Sequence, residues 1–336
     1  MKLMPPLRVA ILTSVASLVL SSAVAADTTR IRFHTFYGTE MDEIADKMRD
    51  TVKEASNGEL RIQYFRGGEL VDSDQFVDAV GRGSIDVGYG VGSYWPGQVG
   101  IGNIEAGLPG AWTSVEEARQ IFEERGLGAL TEEAYAEKGV KLLGHGYGSN
   151  YDLLTKEPVT SLEDLQSMKI RATGQMARVL QAFDIPTVFL PAEELYVGLS
   201  TGVIDGAIYG GPVEYEQLKL NEVAEHYTFM NLLNPGWTET IIVNESTWEE
   251  LSDEHRSILE DAVKQYAADI HAWLEEGNQE IIQEGEMFEF ATLPEEDSKR
   301  LTEAAQVVWQ EEADKSERNA RAIEILVENA KAQGRL

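Results

Sequence analysis

Cysteine is absent from all 336 residues. That excludes disulfides, thiol catalysis and a lipid-anchored cysteine. Histidine is scarce, with five residues, and none shows a His-x-x-x-His metal spacing. A phosphate loop ending in Gly-Lys-Ser/Thr is missing. Positive charge is also in short supply: 28 Lys and Arg stand against 58 Asp and Glu, a net charge of −30. An excess of this size argues against nucleic acid and anionic membrane surfaces as partners. It leaves room for a positive pocket, because salt screens charges beyond about 8–10 Å.

One long apolar run is present, Val9–Val24, preceded by Lys2 and Arg8 and followed by the small-residue sequence Ala23-Val24-Ala25. It is shorter than the roughly 20 residues a membrane span needs. Residues 1–25 therefore read as a secretory signal peptide, and the mature chain as a protein with no stable membrane insertion. Removing the first 26 residues takes the net charge from −30 to −32.

The chain is organised around residues 168–212. Met168–Thr173 reads as a strand, Gln175–Phe183 as a helix with Met176, Val179, Leu180 and Phe183 on one face, and Thr187–Leu190 as a strand. Pro191 opens a second helix where its missing N–H costs nothing, Gly202 stops it, and Ile204–Tyr209 is a third strand. This βαβαβ order implies a parallel sheet covered by helices. Such sheets bind ligands at the carboxyl ends of their strands, where Arg171 and Tyr209 fall. An arginine held there is a permanently charged fork matched to a carboxylate. The alternative is an exposed edge-strand arginine without a partner.

A second copy of this unit lies upstream, with Thr29–Phe36, Glu59–Phe65 and Ile85–Tyr89 as its strands. Phe76 to Asp86 repeats the phase of Leu195 to Asp205: helix, glycine stop, an Ile-Asp pair, then a strand of small residues. Two such copies imply two similar α/β lobes, with the ligand between them. Each aspartate reads as fixing the turn into its strand. Tyr94-Trp95-Pro96-Gly97 follows the third strand, and one of the two aromatics is expected to reach the cleft. Ser114-x-x-Glu117 and Ser246-x-x-Glu249 read as capping boxes. Asp253 to about Glu286 reads as a helix of ~50 Å, longer than one lobe. Pro294 starts a final helix to Lys331.

The sequence Lys169-Ile170-Arg171, then Pro191, then Leu199-Ser200-Thr201-Gly202-Val203-Ile204-Asp205-Gly206 resembles the solute receptors of TRAP transporters, the DctP-type family. The resemblance implies a two-lobe periplasmic binding protein of type II-like α/β fold, each lobe a mixed sheet flanked by helices, with one long helix spanning both. It divides the chain into residues 27–150 with about 239–280, and residues 151–238 with about 281–336. It implies that Arg171 grips a substrate carboxylate and that Tyr209 faces the ligand. Many relatives carry a second arginine at the place of Tyr151, so a second carboxylate clamp is missing and Asn150 beside it is the expected hydrogen-bonding substitute. Relatives that bind α-keto acids with a cation carry Glu-Trp where Ile208-Tyr209 stands. Ile208 cannot ligate a cation, so no metal and no cofactor is expected. Tyr37, Tyr94 or Trp95, Phe189 and Trp237 are expected as pocket walls. The resulting reading is a receptor for a small organic acid, a monocarboxylate in preference to a dicarboxylate, that delivers it to TRAP permease subunits. A secreted two-lobe enzyme and a sensory receptor remain the alternatives. The enzyme would require two titratable groups with shifted pKa values in the cleft.

Overall fold

The computed structural model describes Met1, residues 28–190 and residues 194–336. The expected signal peptide, its Ala23-Val24-Ala25 cleavage site and Pro191 lie outside the described residues.

Hydrophobic periodicity sets the first unit. Strand β1 (Thr29–Thr35) buries Ile31 and Phe33, helix α1 (Asp42–Ala55) buries Ala45, Met48 and Val52, and β2 (Leu60–Phe65) buries Leu60 and Ile62. Helix α2 (Phe76–Gly81) and β3 (Val87–Gly90) complete it. Helices α3 (Gly102–Ala106), α4 (Val115–Glu123) and α5 (Leu127–Ala136) lead to β4 (Val140–Tyr147). The second unit runs β5 (Leu153–Thr155), β6 (Ile170–Arg171), α6 (Gly174–Gln181), β7 (Thr187–Val188), α7 (Leu195–Thr201), β8 (Gly206–Ile208), α8 (Pro212–Gln217) and β9 (His226–Phe229). Then follow β10 (Thr238–Asn244), α9 (Glu245–Glu250), α10 (Asp253–Glu284), β11 (Glu289–Thr292), α11 (Glu295–Ala313) and α12 (Glu317–Ala332).

Two mixed sheets result, ordered β2-β1-β3-β10-β4 and β11-β9-β5-β8-β6-β7. In each, the repeated unit supplies parallel neighbours: β1 beside β2 and β3, and β6 beside β7 and β8. The two repeat aspartates do the same work. The Asp86 amide donates to the Arg32 carbonyl while its carboxylate accepts from the Arg32 amide at 2.7 Å. The Asp205 amide donates to the Lys169 carbonyl while its carboxylate accepts from the Lys169 amide at 2.8 Å. Each aspartate thus ties the start of one strand to its parallel neighbour.

Three passages join the sheets. Tyr147 pairs with Thr238, the Gly148 amide donates to the Trp237 carbonyl at 3.0 Å, and the Gly236 amide donates to the Ser149 carbonyl at 2.6 Å. Two of the passages therefore form one hydrogen-bonded ribbon. The buried Asp152 carboxylate extends it by accepting from the Met230 amide at 2.8 Å. The third passage is α10, 32 residues and about 48 Å at 1.5 Å per residue. It packs on α1 and β4 in its first half and on α8 in its second. There Asn278 accepts from the Val213 amide and donates to the Ser149 hydroxyl. The C-terminal segment packs α11 against α6, and α12 against α3, α4 and α5.

Several local expectations are corrected. The final helix is two helices: the chain breaks after Ala313, and Ser316 caps α12 by accepting from the Asn319 amide. Ser246 does not cap α9; Asn244 does, accepting from the Thr247 amide at 2.8 Å. Strands β6, β7 and β8 are shorter than the expected runs at residues 168–173, 187–190 and 204–209.

Candidate functional site

Carboxyl ends of strands from both sheets meet at one cavity of about 620 Å³. Phe36 and Tyr37 follow β1, and Tyr94 follows β3. Arg171 ends β6, Phe189 follows β7 and Tyr209 follows β8.

Arg171 is buried and held on every side. Its Nε donates to the Leu190 carbonyl at 2.9 Å and its Nη1 to the Ile208 carbonyl at 2.8 Å. Phe189 and Tyr209 flank the guanidinium, with ring centroids 5.5 and 5.4 Å from its central carbon. Such stacking favours the cation and fixes its plane. Two of its five N–H donors are engaged among the described residues, which leaves three for a ligand.

The facing wall is built differently. The Tyr37 and Tyr89 hydroxyls donate to the two oxygens of Glu239, and the Trp237 indole N–H donates to it at 3.4 Å. Glu239 is fully buried, and burial raises its carboxyl pKa while these donors pull it back. It therefore acts from behind the wall, anchoring Tyr37 and Trp237. Glu214 sits at the third position of α8 and turns back to accept from the Gly211 amide at 2.7 Å. Burial pushes its carboxyl up to about 8, against the opposing pull of that bond and of one from Ser149.

Arg171, Tyr209, Tyr37, Tyr94, Phe189 and Trp237 thus line one cavity. Two expected residues do not. Asn150 turns its side chain to the Asp152 carboxylate, because the crossing ribbon buries that acid and needs its charge satisfied. Trp95 is buried in the core beside Phe76 and donates to the Tyr135 hydroxyl at 2.8 Å. Adjacent residues point to opposite sides, so only Tyr94 reaches the cleft. The site also takes in Glu40, Glu214, Tyr151 and Trp273. Tyr151 donates to the Thr173 hydroxyl at 2.9 Å. A helix start at Gly210-Gly211-Pro212 with an acid at its third position was the available signal for Glu214. Trp273 carried no signal beyond helical spacing. Among the described residues, no group of three or more His, Asp or Glu side chains is placed to hold a metal.

Trp237 lies so close over the backbone of Gly148 that a Cβ there would overlap its ring. Gly148→Ala is expected to push the indole into the cavity and weaken ligand binding at least tenfold. Calorimetry together with the tryptophan emission maximum checks this; unchanged affinity would remove Trp237 from the binding wall.

The model of the family "Bacterial extracellular solute-binding protein, family 7" (DctP) matches residues 38–316. The chain is 29% identical to a monocarboxylate 2-oxoacid-binding periplasmic protein of Nostoc, over 65% of this chain and 60% of that one. It is 29% identical to the ectoine-binding periplasmic protein TeaA of Halomonas elongata, over 74% and 73%. A TRAP periplasmic solute-binding protein of Chromohalobacter salexigens, solved with (S)-(+)-2-amino-1-propanol bound, superposes with a TM-score of 0.81 at 26% identity, covering 91% of this chain and 97% of that one. The family match, the two mixed sheets and the cavity between them agree: this chain belongs to the DctP family of bacterial extracellular solute-binding proteins and has their two-lobe fold.

Proposed function

We propose that this chain is the periplasmic receptor of a TRAP transporter, capturing a small carboxylate between its lobes and presenting it to membrane permease subunits. Arg171 carries the reading: a buried guanidinium, locked by two carbonyls and two rings, with donors left over at the cavity. A carboxylate supplies the charge and the paired acceptors that such a fork requires. Residues 27–150 with about 239–280 form one lobe and residues 151–238 with about 281–336 the other, with α12 strapped back onto the first. Closure of the lobes buries the ligand and completes contacts from both sides. The expected signal peptide places the receptor in the periplasm, and no described helix is long and apolar enough to cross a membrane.

Glu214 and Glu239 do form a pair of acids with raised pKa values at the cleft, the condition set for an enzyme. Glu239 is sealed behind Tyr37, Tyr89 and Trp237. It is therefore out of reach of a substrate proton, which favours the receptor. The names of the relatives include a 2-oxoacid, ectoine and an amino alcohol, so the carboxylate class is tested directly. A thermal-shift screen of the mature protein against organic acids is expected to find stabilisation of about 2.7 kcal/mol at a hundred times the dissociation constant, or several degrees. Hits confined to sugars or other compounds lacking a carboxylate would overturn the reading.

A further inference from the structure

The charges around the cavity do not balance for a plain carboxylate. Arg171 is the sole Lys, Arg or His among the described residues lining it, whereas Glu40 and Glu214 both line it. Glu239 stands directly behind, one hydrogen bond away. A simple anion would match Arg171, but it would be repelled by the Glu40 carboxylate and would keep Glu214 from ionising.

Hydrogen-bond direction adds a second constraint. The Tyr37 hydroxyl spends its proton on Glu239, so its oxygen offers the cavity lone pairs alone. Glu40 accepts from the Gly38 amide at 2.7 Å and keeps further acceptor sites at the cavity mouth. Glu214, bound to the Gly211 amide, likewise offers acceptors once ionised. Tyr37 and Glu40 come from the β1–α1 side, facing Arg171 on the second sheet. Aromatic faces of Trp237, Trp273 and Tyr94 fill the remaining wall, and such faces attract cations.

We infer that the ligand is zwitterionic: beside the carboxylate held by Arg171 it carries a positively charged nitrogen with N–H donors, received by Tyr37, Glu40 and Glu214. This rests on the carboxylate reading above and narrows it from organic acids in general to amino acids and related charged-nitrogen acids. Burial keeps a proton on Glu214 in the empty cavity. A cation set against it favours the ionised form, so binding releases that proton to solvent.

The test is calorimetry of the mature protein at pH 7 with a paired panel. Each amino acid is matched to an acid of similar skeleton without the charged nitrogen: proline with tetrahydrofuran-2-carboxylate, pipecolate with cyclohexanecarboxylate, 4-aminobutyrate with butyrate. Pyrrolidine and propylamine serve as amines without a carboxylate. Two buffers of different ionisation enthalpy report proton release. The expected result is binding at least tenfold tighter for the zwitterionic member of a pair, with proton release. Glu40→Gln and Glu214→Gln should each shrink that ratio. Glu40 is exposed, so its variant tests the wall without disturbing the core. Equal or tighter binding of the nitrogen-free acids overturns this inference and leaves the carboxylate reading standing. Amines that bind as well as the amino acids, or no binding by any member, overturn both.

Discussion

Replacing Arg171 with alanine is expected to lower carboxylate affinity by about two to three orders of magnitude, a cost of ~3–4 kcal/mol, within the range for removing one partner of a buried charge pair. The guanidinium is the only fixed positive charge among the described residues of the cavity wall, so nothing there takes its place. Arg171→Lys should recover part of the loss. An ammonium keeps the charge but cannot sit flat between Phe189 and Tyr209, nor pair two N–H groups with one carboxylate. The alanine variant should also melt several degrees lower. The Leu190 and Ile208 carbonyls lose their donor, at about 1–3 kcal/mol for each group left buried and unpaired. Affinity is therefore to be compared at a temperature where both proteins are folded. An alanine variant within threefold of the parent would place recognition elsewhere.

Glu214→Gln is expected to stabilise the empty receptor, and only above acid pH. Burial raises the Glu214 carboxyl to about 8 in the folded chain, well above its value when unfolded. A folded-state pKa raised in this way means that folding takes up a proton. The stability this contributes is full below about pH 4.5 and is lost as pH rises through about 8. Glutamine carries no charge at any pH and escapes the loss. Urea unfolding should find the two proteins similar at pH 4.5 and the variant ahead by ~2–4 kcal/mol at pH 8.5. A variant that is weaker at pH 8.5 would mean that Glu214 is held as a satisfied carboxylate, with the opposite sign of pH dependence. The same change weakens binding of a cationic group, so stability and affinity are expected to move in opposite directions.

Much of the frame was legible because it rests on local rules. Apolar spacing located the strands and helices of both units. The matching phase of Phe76–Asp86 and Leu195–Asp205 exposed the repeat, and both aspartates make the same pair of bonds to a neighbouring strand. Arg171 and Tyr209 could be placed because strand ends face ligands in parallel sheets. Residues whose direction depends on a distant partner were not legible. Asn150 serves an acid two positions away, and Trp95 serves Tyr135 across the core. Trp273 reaches the cavity from a helix read only by its apolar stripe. The Ala313–Ser316 break was missed because a charged run reads as one solvated helix; it accompanies the packing of α12 back on α3, α4 and α5.

The paired crossing strands bear on how the molecule moves. A two-stranded ribbon resists bending within its own plane, where hydrogen bonds would have to stretch, and yields across its face, where only torsions change. Residues 147–149 and 236–238 make such a ribbon between the sheets. The lobes then share one soft coordinate, a hinge rotation about an axis lying in that ribbon, while sliding and in-plane shear are stiff. Ligand binding has little motional freedom to suppress, and the open and closed forms are points along a single arc.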